Sequence, residues 1–266
     1  MSNSLRIVIL TTKLPEDIWL INKLADVCKI EGIVIPRGKR WKEFGVLNVL
    51  KKRMRRFGFF GVTNQTLLIL YRLLLERRKD KKSLAKIFTQ KPYDYIEKED
   101  IRILEVDNIN SEKVPNFIRS INPDVVVVSG TPLLKESVIQ SVSGRIINLH
   151  PGFPPQYRGR YGAFWPIYNK EPELVGTTIH FIDKGIDTGA ILIQQQVAFD
   201  KNDTVKTITY KQHETGVRLL VKCLTDFNNI AAQAFRKTGY PSKNYYAPGL
   251  THYLKAKRWL KKQNAY

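Results

Sequence analysis

Four consecutive valines, Val125-Val126-Val127-Val128, stand between Asn122-Pro123-Asp124 and Ser129-Gly130. No polar residue interrupts them, so both faces of this extended stretch must be buried. A short apolar run bounded by Pro and Gly fits a central parallel strand covered by helices on both sides. The rest of the chain supplies the matching alternation. Residues 5–11 read as a buried first strand, and 16–30 as a helix with Ile18, Leu20, Ile21, Leu24 and Val27 at helical spacing. A second strand, 31–35, is stopped by Pro36. After an interruption the pattern resumes with strand 101–106 and a helix from a Ser111-Glu112-Lys113 cap to residue 121. A short helix at 135–142 follows the valine strand, then strand 145–149, helix 162–169, strands 177–182 and 191–199, and a long helix at 204–228. The expected fold class is α/β: a Rossmann-like domain with a mostly parallel sheet over residues 1–228.

The interruption is a basic helical insertion, 37–92, and a short basic appendage, 229–266, closes the chain. Helices are expected at 39–56 and 62–86, separated by Phe57-Gly58-Phe59-Phe60-Gly61. The net charge of +20 resides mainly there. Residues 37–86 hold 16 Lys/Arg against three acids, and 251–266 hold five Lys/Arg and no acid, leaving the body nearly neutral. Charge runs are usually solvated faces. Combined with three phenylalanines and leucine-rich turns, this one suits an amphipathic surface for anionic lipid or a partner. No RNA-recognition or helix-turn-helix signature accompanies it, so nucleic acid is not an expected partner. Cys28 and Cys223 are far apart in sequence and read as reduced packing residues, and the four histidines lack metal-ligand spacing, so no metal is expected. No signal peptide is apparent, and no apolar run reads as long enough to span a bilayer. The expected location is the cytoplasm, with peripheral contact at the inner face of the membrane. A homo-oligomer is left open.

Strand 145–149 places Asn148 and His150 at its carboxyl end, where open α/β sheets bind ligands. Asp187 follows within Asp183-Lys184-Gly185-Ile186-Asp187-Thr188-Gly189. An amide can hydrogen-bond a developing oxyanion, an imidazole can carry a proton, and a carboxylate can orient the imidazole. Pro154, Pro155, Gly159 and Gly162 punctuate an intervening loop able to fold over a ligand. The set points to acyl-type transfer. Singly, each residue has a plainer reading: His150 as a hydrogen-bonded core histidine, Asn148 as a turn cap, Asp187 as a turn residue. Asp187-Thr188-Gly189 as an aspartic-protease loop would need a second such carboxylate and an all-β frame. Asp183-x-Gly185-x-Asp187 lacks the glutamate that completes an EF-hand. The joint constellation outweighs these readings.

The order of motifs resembles the folate-dependent formyltransferases, a family that includes the glycinamide ribonucleotide, methionyl-tRNA and sugar N-formyltransferases. The resemblance is carried by the valine strand with Ser129-Gly130-Thr131-Pro132-Leu133-Leu134, by Asn148-Leu149-His150-Pro151-Gly152, and by Pro155-Gln156-Tyr157-Arg158-Gly159. It continues through Gly176-Thr177-Thr178-Ile179-His180-Phe181-Ile182-Asp183 and Gly185 to Ile191. It implies N10-formyltetrahydrofolate as donor, used as a co-substrate without a metal, and a primary amine as acceptor. Catalysis would fall to Asn148 and a protonated His150, stabilising the negative oxygen formed when the amine attacks, with Asp187 keeping His150 cationic when needed and helping to move the amine proton to the leaving folate nitrogen. Thr131, Leu134, Ile139 and Asp183 would contact the folate. Tyr157 and Arg158 would border the acceptor, Arg158 either holding an acceptor phosphate or bracing the loop. His180 reads as packing or support behind the site.

Departures from the family pattern narrow the acceptor. The loop Thr11-Thr12-Lys13-Leu14-Pro15-Glu16-Asp17 lacks the Gly-rich phosphate nest of the glycinamide ribonucleotide enzymes. The 66 residues after Asp200 are fewer than the barrel domain of the tRNA enzymes needs, and the first strand begins at Leu5, without the regulatory domain of the formyltetrahydrofolate hydrolases. The expected acceptor is a small amine, an amino sugar carried on a nucleotide. Glycinamide ribonucleotide, methionyl-tRNA, hydrolysis of the donor, and a membrane-surface role with a secondary transferase body are the alternatives.

Overall fold

A computed structural model describes residues 5–37, 46–88 and 100–262. Parts of the expected insertion (38–45 and 89–92) and the last four residues of the appendage lie outside the described residues. In chain order the first half comprises β1 (Arg6–Leu10), α1 (Pro15–Ala25), β2 (Lys29–Pro36), α2 (Val46–Leu75), α3 (Arg77–Phe88), β3 (Arg102–Val106), α4 (Lys113–Ile121) and β4 (Val125–Ser129). Then come α5 (Glu136–Ile139), β5 (Arg145–His150), β6 (Tyr157–Gly159), α6 (Phe164–Asn169), β7 (Gly176–Phe181) and β8 (Ile191–Gln196). The chain continues through α7 (Val205–Thr225), α8 (Phe227–Ala232), β9 (Lys243–Tyr245) and α9 (Leu250–Leu260).

The main sheet has seven strands in the order β3-β2-β1-β4-β5-β7-β8. The first five are mutually parallel; β7 runs antiparallel to β5, and β8 antiparallel to β7. All five residues of the valine strand β4 are buried between β1 and β5. Each fully buried valine contributes about 1.5–3 kcal/mol relative to an exposed one, which makes β4 a strong determinant of the layering. On one face Ile7, Ile9, Val127, Ile147 and Leu149 pack against Leu20 and Leu24 of α1 and Val217 and Leu220 of α7. On the other, Val8, Val126 and Val128 meet Ile118 and Ile121 of α4. The chain winds outward from β1 through β2 to β3, then returns to β4 beside β1, so the topological switch point lies between β1 and β4.

Several boundaries move for physical reasons. Helix α1 stops at Ala25 rather than at residue 30, because Lys29 and Ile30 pair with Arg6 and Ile7 in the sheet. Ser111 does not cap α4 with its side chain; its carbonyl accepts from Val114 N–H instead, and its hydroxyl has no partner. The long helix at 204–228 ends at Thr225 and restarts as α8; its start is fixed by Thr204, whose side chain accepts from Thr207 N–H in a reciprocal capping box.

The insertion differs most. The expected Phe57–Gly61 separator narrows to Gly58 alone, whose φ of 67° and ψ of 175° suit only glycine, and α2 passes through it as one kinked element. Across this kink Leu50–Leu75 makes a 26-residue stretch long and apolar enough, by length and composition, to cross a membrane, contrary to the reading of the sequence. The second expected helix breaks at Glu76, a buried residue whose carboxylate accepts from Tyr253 Oη and pairs with Lys257 Nζ at 2.6 Å. These two residues belong to α9, so the insertion and the appendage form one layer. Asn64 and Thr251 exchange two hydrogen bonds, and Gln65 donates to the Ala247 carbonyl at 3.0 Å. Leu68 of α2 shares a cluster with Phe164 and Ile167 of α6 and Tyr253 and Leu260 of α9.

Candidate active site

Strand β5 delivers two side chains to one face because alternate residues of a strand share a side. Asn148 and His150 are that pair, opposite His180 and Thr178 on β7. Their neighbours Ile147 and Leu149 point the other way into the core beneath α1 and α7. Directly after β5 the chain turns at Gly152, where any Cβ would run into His150 Nε2, so the close approach of this turn to the imidazole requires glycine.

Asp187 reaches the same place from the loop between β7 and β8. Its φ of 51° lies in the left-handed region, unusual for a residue with a side chain and tolerated best by Asn, Asp and Gly. The conformation is held from two sides: Gly159 N–H donates to Asp187 Oδ2 at 2.8 Å, and Arg158 Nη1 donates to the Ile186 carbonyl at 2.8 Å. Asp187 Oδ1 then lies 3.7 Å from His150 Nδ1 and 3.6 Å from His180 Nε2. All three side chains are nearly buried. The imidazoles meet edge to face, with ring centres 6.0 Å apart.

Burial lowers the His150 pKa below the ordinary imidazole value. The Asp187 carboxylate raises it, the neighbouring His180 lowers it further, and the Tyr157 carbonyl raises it slightly; burial prevails. Burial therefore biases the resting imidazole toward its neutral form, from which it can take up a proton during the reaction. Asp187 moves the opposite way. Burial would raise its carboxyl, but the positive charge that His150 and His180 carry once protonated, together with the Gly159 N–H, outweighs it and holds the carboxyl far below the usual carboxylate range. The resting site thus pairs a firm anion with a base biased toward its neutral form.

His180 has a more defined position than sequence reasoning gave it. Its Nδ1 lies 2.8 Å from the Phe181 carbonyl, which can only accept, so Nδ1 carries a proton. In the neutral ring Nε2 is then an acceptor, and the Asn148 amide donates to it at 3.2 Å. One amide N–H of Asn148 is engaged and the other is left for a ligand. Cross-strand pairing of His180 with Asn148 was the available signal; it becomes visible only once the register of β5 and β7 is known.

The remaining expected residues divide. Leu134, Ile139 and Ile182 pack on a common cluster with Val138 and Ile146, Leu134 following the carboxyl end of β4 and Ile182 lying beside Ile146 near the amino end of β5. The 131–135 loop is pinned by Asn110, which donates to the Leu133 carbonyl at 3.0 Å and accepts from Lys135 N–H at 2.6 Å. Thr131 opens that loop, its hydroxyl donating to the Pro132 carbonyl at 3.1 Å. Asp183 organises the second loop, accepting from Gly185 N–H, Thr188 Oγ1 and Arg236. Arg158 braces the Asp187 loop. Tyr157 turns inward: its ring stacks on Tyr245 with centres 5.0 Å apart, and its hydroxyl donates to Glu171. Among the described residues no three His, Cys, Asp or Glu side chains are disposed to hold a metal ion. A surface recess lined by Arg145, Phe181, Phe227 and Asn228 reaches the amino end of β5, away from His150, and offers no acid–base pair.

The profile of the formyl transferase family matches residues 73–224, more than half of the chain and all of the constellation just described. The chain belongs to the formyl transferase family. Among curated proteins, the methionyl-tRNA formyltransferase of Halothermothrix orenii is 35% identical over 127 residues, 47% of this chain and 40% of that protein. The corresponding protein of Pelotomaculum thermopropionicum is 32% identical over 144 residues, 54% of this chain and 45% of its own length. The chain thus matches less than half the length of these relatives. Among solved structures, a sugar N-formyltransferase from a Shewanella species superposes with a TM-score of 0.53 at 21% identity, covering 91% of this chain and 76% of that one. Glycinamide ribonucleotide transformylase 1 of Symbiobacterium toebii gives 0.56 at 16% identity, covering 86% and 90%. These superpositions show that the Rossmann-like fold is that of solved formyltransferases.

Proposed function

We propose that this member of the formyl transferase family moves a formyl group from N10-formyltetrahydrofolate to a primary amine, and that the amine is an amino sugar carried on a nucleotide. The observation that carries the reading is the convergence of Asn148, His150 and Asp187 at the carboxyl end of β5 with a firm anion, a neutral base and an uncommitted amide N–H. The donor, when bound, supplies an N-formyl carbonyl. The pinned backbone of 131–135, the apolar flank of Leu134, Ile139 and Ile182, and the ordered 183–188 loop fit a flat, amide-like heterocycle, and these residues would hold it.

His150 takes the proton of the attacking amine on its imidazole, becoming a cation between Asp187 and the oxygen on which negative charge grows. That cation and the free N–H of Asn148 stabilise the oxygen, each such donor contributing about 10²–10³ in rate. Collapse of the intermediate then breaks the bond from the formyl carbon to the folate nitrogen, which leaves with the proton that His150 took from the amine. Asp187 offsets the cost of charging a buried imidazole. His180 keeps the Asn148 amide in its donating orientation, and Arg158 and Gly159 hold Asp187 in its left-handed conformation.

The acceptor reading rests on the switch-point crevice. There α1 begins, and the helix N-terminus favours an anion. The position is occupied by the chain's own Asp17, buried in the first turn, accepting from Thr12 Oγ1 and lying 3.7 Å from His213 Nε2. A resident carboxylate disfavours an acceptor phosphate seated at this helix end, the place where the Gly-rich nest of the glycinamide ribonucleotide enzymes is missing, so the acceptor's phosphates would have to lie elsewhere, as the longer reach of a nucleotide-linked sugar allows. Initial rates with a nucleotide-linked amino sugar and with glycinamide ribonucleotide, at matched concentrations, test the reading. The sugar should be formylated faster; a faster rate with glycinamide ribonucleotide would overturn it.

A further inference from the structure

Phe60, Leu67, Leu70 and Leu74 stand at i, i+7, i+10 and i+14, so they line one side of α2 over about 21 Å. All four are exposed: Phe60 87%, Leu67 47%, Leu70 49% and Leu74 80%. Phe59 and Leu73 border the row, at 66% and 53%. With Leu50, Ile69 and Leu75, which are exposed elsewhere on the helix, α2 turns nine large apolar side chains to solvent, far more than scattered surface hydrophobics, and the six of this row mark an interaction surface.

Charge surrounds this face at both ends. Lys51, Lys52, Arg55 and Arg56 precede it, and Arg77, Arg78, Lys81 and Lys82 follow it, all exposed. Residues 46–88 contain 12 Lys/Arg and two acids, a net +10. A second copy docking on this face would set +10 against +10. An anionic surface with an apolar interior just beneath it answers both the charge and the leucines.

The opposite side of the same helix decides how it would sit. Asn64, Gln65 and Glu76 are hydrogen-bonded to Thr251, Ala247, Tyr253 and Lys257, and Val62 and Leu68 are buried. A membrane-spanning helix would have to break these contacts and leave buried polar groups without partners in hydrocarbon. A helix lying flat keeps them and immerses only the exposed row.

We propose that α2 docks the protein on an anionic lipid surface, lying in the plane of the interface with Phe60, Leu67, Leu70 and Leu74 immersed and the flanking Lys/Arg clusters against the headgroups. The chemistry lies outside this contact, because the row belongs to the layer that α2 forms with α9, whereas Asn148, His150 and Asp187 lie at the end of β5 and its neighbouring loop. The proposal stands whether or not the acceptor is an amino sugar.

Co-sedimentation of the full chain with vesicles of phosphatidylglycerol and phosphatidylcholine, against phosphatidylcholine alone, tests it. The wild type should bind the anionic vesicles at least tenfold more tightly and lose binding as salt rises. Leu67→Glu/Leu70→Glu should abolish binding, and Arg77→Gln/Arg78→Gln should weaken it by about fivefold per charge at low salt. Because the double glutamate variant changes the chain's solubility, Phe60→Trp supplies a second measurement on a near-native surface. Its emission should shift to the blue on anionic vesicles and be quenched by lipids brominated near the headgroup more than by those brominated near the chain end. Absence of vesicle binding by the wild type overturns the proposal, as does a wild-type dimer in sedimentation that Leu67→Glu/Leu70→Glu converts to monomer. Deeper quenching at the chain end would overturn the flat orientation.

Discussion

Replacing Asp187 with Asn isolates its charge, since the amide oxygen still accepts the Gly159 N–H that shapes the loop. Coulomb's law at 3.7 Å with an effective dielectric near 20 gives roughly 4–5 kcal/mol between Asp187 and a protonated His150. Little of this is lost to solvent, because the His150 and Asp187 side chains are only 8% and 12% exposed. Some is recovered by relaxation and by the amide dipole, so the expected loss of turnover is about 10²–10³-fold, the scale found for removing one stabilising group from an oxyanion site. The sign of the pH effect follows from the same geometry. Asp187 raises the His150 pKa, so removing it lowers that value further and shifts the acid limb of kcat/KM to lower pH while the plateau drops. The assay is an initial-rate series from pH 5 to 8, with thermal melting to confirm folding. Turnover within tenfold of wild type, or a limb that moves to higher pH, would refute the electrostatic role of Asp187.

His180→Ala should lower kcat by about tenfold with little change in donor affinity, because the Asn148 amide loses the partner that orients it; His180→Gln, which can accept through its amide oxygen, should restore part of the rate. Steady-state kinetics on both variants decide between orientation and mere packing. Gly152→Ala places a Cβ against His150 Nε2, so turnover should fall at least tenfold while circular dichroism stays native; an unchanged rate would show that the turn can move. The folded protein holds the His150 pKa below its unfolded value, so the unfolded chain takes the proton first and stability is lost as pH falls through the ordinary imidazole range. Asp187, also depressed, contributes stability that is lost only at pH values below the ordinary carboxylate range. Between pH 7 and 5, His150→Gln should therefore lose less melting temperature than wild type, and an equal or larger loss would contradict the assignment.

The layered fold was legible because β4 and β1 are apolar on both faces and alternate with helical periodicity, as strands of a helix-covered parallel sheet do. Strand and helix order followed from periodicity, while ends shifted where a ladder partner outcompeted the local pattern, as at Lys29–Ile30. The insertion was legible as basic and helical, but not its docking on α9. That docking depends on Asn64, Gln65 and Glu76 finding Thr251, Ala247 and Tyr253 across some 180 residues, and no local pattern encodes it. At the site, Asn148, His150 and Asp187 stood out because their residue types and flanking Gly and Pro are specific to one kind of chemistry. The burial that leaves His150 neutral and the inward turn of Tyr157 arise from tertiary packing, which the sequence pattern does not express.

The most direct test of the central claim uses N10-formyltetrahydrofolate labelled with carbon-13 in the formyl group, a nucleotide-linked amino sugar, and mass spectrometry of the products. The wild-type protein should place the labelled formyl group on the sugar amine, and His150→Ala and Asp187→Ala, folded as judged by melting, should do so at least a hundredfold more slowly. Labelled formate with an unmodified amine, across a panel of amines, would show donor hydrolysis instead. Equal transfer by wild type and His150→Ala would show that the Asn148–His150–Asp187 cluster is not the seat of the reaction.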